Sequence, residues 1–179
     1  MSIIIGIISR DNQLYLGADK RAILQNGIMT DNYDKIYMIR QNLYFGMTGI
    51  AEYGLSIKDR LLKLPNISKM PIKEVLGFLD SIYNEVSLAS TILLSGRFED
   101  NRAFIWNKNT LGKKNLIEFN SQDIVYSINS NSNTDLFEKR FIQEVQVTKY
   151  DYFKAIINTI DYASTIDNSI SKVCNIVKL

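Results

Sequence analysis

The sequence predicts an α+β protein. The expected architecture is a four-layer αββα sandwich of two antiparallel sheets between helical layers, in a single domain over residues 1–179. Three observations carry that reading. Strand-like runs come in hairpins joined by turn residues. Helix-like runs come in pairs instead of alternating with strands, which argues against a βαβ fold. The hairpins are very apolar, and two sheets between two helical layers bury them.

The elements follow in order. "SIIIGII" and "QLYLGAD" are rich in apolar and β-branched residues and are joined by the turn-forming "SRDN", so they read as a hairpin. "DKIYMIRQNLYFGMTG" reads as a second, turning near Arg40, Gln41 and Asn42. From Ile50 the spacing becomes helical through "AEYGLSIKDRLLKL". "NISKMP" breaks the chain. Pro71 then suits the first turn of another helix, with Ile72, Val75, Leu79, Ile82 and Val86 as its stripe. Strands return in "STILLSG", "RAFIWN", "NLIEF" and "DIVYSI", and a short helix is expected after Asn133 and Thr134. "DYFKAIINTIDYAS" sets Phe153, Ile156, Ile157 and Ile160 on one helical face. "SKVCNIVKL" closes the chain as a strand.

Composition narrows the function. The chain has 46% hydrophobic and 22% charged residues and a net charge of +2, with its Lys and Arg residues scattered. A nucleic-acid or membrane-surface protein concentrates such residues, so neither partner is expected. Cys174 is the one cysteine, which rules out a disulfide within the chain and fits a reducing interior. The opening apolar run lacks a basic segment before it and is too short to span a bilayer. A cytoplasmic protein is the expectation. There is no histidine, which removes Ser-His-Asp and Cys-His catalysis and the commonest zinc sites. No metal or cofactor is expected.

A nucleophile in this chain needs another base, and an N-terminal amine is one. Ser2 stands directly behind Met1, and an initiator Met is normally trimmed before so small a residue. Trimming gives Ser2 both a hydroxyl and a free α-amine. The unperturbed pKa of that amine, about 7.7–8.0, leaves a useful fraction as free base at neutral pH.

With "GADKR", "DKIYMI" and "GMTGIAEYG", this start resembles a proteasome β-type subunit, of the N-terminal-nucleophile hydrolases. In that family the nucleophile is a threonine on the first strand. An Asp-x-Arg, a lysine and a glycine that opens the first long helix follow it. Asp19 with Arg21, Lys35 and Gly49 match in order, and the intervals from Asp19 to Lys35 and from Lys35 to Gly49 equal the family's. Ser2 falls at the threonine, Ser130 in "YSINSNS" at the family's later serine, and Asp167 in "STIDNSISKV" at its aspartate. The resemblance therefore covers the whole chain.

The roles it implies make physical sense. An ionised Lys35 lowers the pKa of the amine and steadies negative charge on Ser2 Oγ. Asp19 pairs with that lysine, Arg21 supports it, and Gly49 offers its backbone N–H to an oxyanion. Ser130 and Asp167 orient the amine. The family's first substrate pocket maps onto Ala22, Tyr33, Met47 and Ala51, which carry no charge, so an apolar substrate side chain is expected there. Taken singly, each residue has a plainer reading. Ser2 is an ordinary second residue, Asp19 with Lys35 a structural ion pair, Gly49 a helix-start glycine and Ser130 a solvated loop serine.

The chain also departs from the family pattern. The nucleophile is serine, whose missing γ-methyl loosens the hydroxyl rotamer and lowers the rate. Asn129 and Asn131 replace glycines around Ser130, and after Asp167 the expected Ser-Gly gives way to Ile170 and Ser171, with Ser169 one step early. The chain starts on its first strand, with neither the helical extension of the family's α-type subunits nor a long propeptide. It thus resembles the family's compact bacterial peptidases. That implies a homo-oligomeric ring acting on peptides or unfolded proteins, with an ATPase as candidate partner. Two alternatives use the same fold: a catalytically silent scaffold, and an acyl-transferring peptide ligase.

Overall fold

The isoleucine run at the start of the chain is a strand buried on both faces, and the rest of the fold is arranged to cover it. The computed structural model describes residues 2–23, 29–83, 90–109, 112–130 and 132–179. The hairpin of β1 (Ile3–Ile8) and β2 (Leu14–Asp19) is followed by the two-residue strands β3 (Ala22–Ile23) and β4 (Met29–Thr30). Next come β5 (Ile36–Arg40) and β6 (Leu43–Thr48), then the helices α1 (Ala51–Leu62) and α2 (Ile72–Tyr83). Strands β7 (Thr91–Arg97), β8 (Ala103–Asn109), β9 (Lys114–Glu118) and β10 (Val125–Ser130) lead to α3 (Thr134–Val147), α4 (Tyr152–Ile166) and β11 (Cys174–Lys178).

One sheet has the order β10-β1-β2-β11 and the other β5-β6-β7-β8-β9, antiparallel throughout. Side chains alternate along a strand, so β1 feeds two cores at once. Ile4 and Ile8 meet Leu93 and Ile105 between the sheets, while Ile3, Ile5 and Ile7 meet Phe137, Phe141, Ile156 and Ile160 of α3 and α4. On the far side, α1 and α2 set Ile57, Leu61, Val75 and Leu79 against Phe45, Ile92 and Trp106. The αββα sandwich expected from the sequence is therefore the fold.

Three details differ from expectation. The helix after Asn133 is not short: α3 runs for 14 residues and buries Phe137, Phe141 and Val145, an i, i+4 stripe broken up in sequence by charges. The buried face of α4 is Ala155, Ile156, Thr159, Ile160 and Ala163, whereas Phe153 is 49% exposed. A Cβ on Gly17 of β2 would lie 2.4 Å from Ile156 Cγ2, so this glycine lets Ile156 seat directly on the strand. The pair β3 and β4 has no counterpart in the sequence reading. On α2, Ile72, Val75, Leu79 and Ile82 are buried as expected, and Val86 lies outside the described residues.

Candidate active site

The site is built where the C-terminal end of β2 passes the start of β1. Asp19, the last residue of β2, is fully buried and uses both carboxylate oxygens. Oδ1 accepts from the Ile3 N–H at 2.9 Å and from Lys35 Nζ at 2.7 Å. Oδ2 accepts from the N–H of Arg21 at 3.0 Å and of Ser171 at 3.3 Å. One carboxylate thus ties the residue after Ser2, the turn after β2, the residue before β5 and the approach to β11. Multiple donors replace the hydration that a buried carboxylate gives up.

Lys35 is buried as well, and its carbonyl accepts from the Met47 N–H at 3.2 Å, which fixes the segment before β5 against the end of β6. Burial pulls the Lys35 ammonium below the ordinary lysine pKa, and the Asp19 charge offsets part of that pull. Gly49 follows β6 with φ of +98°, a backbone conformation that favours glycine, and turns the chain into α1. The N-cap, Ile50, makes no side-chain cap hydrogen bond, and Gly49, Ile50 and Ala51 at this positive end of the helix dipole border the same cleft as Lys35. A Cβ on Gly54 of α1 would collide with Met47 Sδ; this glycine lets the helix seat directly on Met47.

These segments enclose a cleft of about 280 Å³. Ser2, Lys35 and Gly49 line it, together with Ala22, Tyr33, Met47 and Ala51, all four of the residues expected to receive the substrate. Arg21, Ile23, Ile50 and Glu52 complete the lining. Burial raises the Tyr33 phenol far above its ordinary pKa, so it is neutral at any working pH.

Arg21 does not pair with Asp19 through its side chain. Its guanidinium forks onto Asp31, with Nε to Oδ1 at 2.6 Å and Nη2 to Oδ2 at 2.8 Å, while Nη1 donates to the Asn168 carbonyl. Asp31 was absent from the sequence reading. The signal was an arginine needing a carboxylate, but Asp31 and Asp34 were both near. The fold gives Asp34 to Lys20, at 3.0 Å, and Asp31 to Arg21.

Ser130 and Asp167 do not line the cleft. Ser130 stands opposite Ile3 in the β1–β10 ladder, with its Oγ buried and without a hydrogen-bond partner among the described residues. Asp167 caps the C-terminus of α4. Its Oδ1 accepts from the N–H of Ser169 at 2.9 Å and from Ser169 Oγ at 2.6 Å, and its Oδ2 is buried with no hydrogen-bond partner among the described residues. Ser169, one step early in sequence, therefore makes the contact to this aspartate. Met1 and Asn131, which carried the expectations of trimming and of a glycine-like loop, lie outside the described residues.

No protein-family model matches the chain, and no curated protein does. Solved structures match throughout its length. Over 99% of this chain and 98% of the other, it is similar to eukaryotic HslV from Trypanosoma brucei, with a TM-score of 0.68 and 16% identity. Anbu, an ancestral beta-subunit from Yersinia bercovieri, superposes on 100% of this chain and 82% of its own, with a TM-score of 0.75 and 15% identity. A third is BPH from Thiobacillus denitrificans, in complex with epoxomicin. It matches over 98% of this chain and 97% of its own, with a TM-score of 0.71 and 14% identity.

Proposed function

We propose that the chain, whose fold is that of the proteasome-like N-terminal-nucleophile hydrolases, is a peptidase whose nucleophile is Ser2, freed by removal of Met1. The observation that carries this reading is the meeting of Ser2, Lys35 and Gly49 on one cleft, with Lys35 held by a buried carboxylate at 2.7 Å. A structural ion pair alone does not call for an opening beside it. Ser130 Oγ and Asp167 Oδ2, two of the buried side-chain atoms without a hydrogen-bond partner among the described residues, stand at the positions to which the family resemblance assigns the orienting of the Ser2 amine.

The chemistry then runs in two halves. Ser2 Oγ attacks the substrate carbonyl carbon while its proton passes to the α-amine. The Lys35 ammonium steadies the charge left on Oγ, and the Gly49 N–H, beside the open end of α1, steadies the oxyanion. The C–N bond breaks, the leaving amine takes the proton, and the acyl group stays on Oγ as an ester. Water then attacks the ester carbon and gives a proton to the amine. The ester C–O bond breaks and the proton returns to Oγ. Attack by an amine in place of water would turn the same residues into a ligase.

The reading includes a homo-oligomeric ring that encloses the cleft, with an ATPase as candidate partner, as the resemblance to the family's compact bacterial peptidases implies. The decisive experiment compares wild type with Ser2→Ala on a panel of fluorogenic peptides, with assembly size and melting temperature followed in parallel. Hydrolysis lost with assembly and melting unchanged supports the peptidase, as does labelling of Ser2 by epoxomicin. Equal absence of turnover and of labelling in both proteins would leave the scaffold reading.

A further inference from the structure

Among the charged groups lining the cleft, Glu52 is the one without a partner among the described residues. Lys35 is bound to Asp19 and Arg21 is forked onto Asp31. Glu52 sits in the first turn of α1, is exposed, and makes no hydrogen bond or ion pair with any described residue. Glu52 lines the same cleft as Tyr33. The pocket therefore combines an apolar floor of Ala22 and Met47, a neutral phenol, and a free negative charge at its rim. This is the complement of a long side chain with an apolar stem and a cationic end.

We infer that Glu52 selects substrates that present a lysine or arginine side chain to this cleft. The inference rests on the peptidase reading and replaces a purely apolar specificity with a basic one. The stem of the substrate residue lies against Met47 and Tyr33, and its ammonium or guanidinium meets the Glu52 carboxylate. An acidic residue in the first turn also favours a helix through its dipole, wherever the substrate is. That plainer role changes stability and leaves the choice between substrates alone, so the test reads a ratio.

The experiment measures kcat/KM for matched peptides with Arg, Leu or Asp before the scissile bond, for wild type and for Glu52→Gln and Glu52→Lys. The expected result is a preference for Arg over Leu that falls about tenfold in Glu52→Gln, the size of a lost charge-assisted contact, and reverses toward Asp in Glu52→Lys. The wild-type preference should also shrink as salt is raised. Cleavage without a basic preference, or a preference that survives both substitutions, overturns the inference and leaves the peptidase reading standing. If wild type cleaves no peptide, the peptidase reading fails. Binding of a fluorescent Arg-ended peptide to Ser2→Ala and Ser2→Ala/Glu52→Gln then decides: tighter binding that depends on Glu52 upholds the cation site, and equal binding overturns it.

Discussion

Among the described residues two lysines are buried, and each holds an aspartate at almost the same distance. Lys35 to Asp19 is 2.7 Å and Lys108 to Asp80 is 2.6 Å, with both lysine side chains 4% exposed. The carboxylates differ. Asp19 is fully buried, and its remaining capacity goes to the backbone of Ile3, Arg21 and Ser171. Asp80 is 35% exposed and shares its charge with the solvated Lys114. The Asp80 pair pins α2 to β8 and β9; the Asp19 pair fixes the segments that make the cleft. What separates the ion pair at the cleft from the one under α2 is where the carboxylate spends its spare lone pairs.

The largest expected effect breaks the first pair. Asp19→Ala leaves the Lys35 charge buried and three N–H groups unanswered, and should cost about 3–5 kcal/mol in chemical denaturation and abolish peptide hydrolysis. Asp80→Ala leaves Lys108 its bond to the Asp80 carbonyl and should cost about 1–2 kcal/mol, with hydrolysis retained. Equal losses from the two substitutions would erase the distinction.

A pH profile sharpens it. Hydrolysis should rise as the α-amine loses its proton and fall again as Lys35 does. Because burial lowers the Lys35 pKa, the alkaline limb should lie below about 10.4, the ordinary lysine value. The stability sign follows from the same direction. Between the folded and unfolded values the unfolded chain binds more protons, so the contribution of Lys35 to stability rises with pH across that window. A limb at or above the ordinary value would remove Lys35 from the mechanism.

The smallest expected effect is at Arg21. Arg21→Lys keeps the charge but loses the fork onto Asp31 and the Asn168 contact, so the loop carrying Asp167 is held less firmly. A few-fold drop in kcat with little change in KM is the expected outcome from initial-rate kinetics. The Arg21 guanidinium holds the Asp31 carboxyl below its usual range. Its support is therefore present above the ordinary carboxylate pKa and lost as the pH falls through the lowered one.

Most of the sandwich was legible because its strands and helices are periodic and bounded by turn residues. The two-residue β3 and β4 carry no periodicity, and the seat of Ile156 on Gly17 is a contact across elements that the spacing within α4 does not mark. Asp19, Lys35 and Gly49 were legible through their spacing and the family resemblance, not from residue type, since Lys108 and Asp80 make an equally short pair. Asp31 and Glu52 stayed hidden for different reasons. One competed with Asp34 for the same arginine, and the other looked like any acid in a first helical turn.

The proposed mechanism needs the amine to belong to Ser2, and the intact mass of the untagged, purified protein tests this most directly. The expected mass is lower than the full translation by one methionine residue. A protein that keeps Met1 would carry its amine one residue too early and contradict the mechanism.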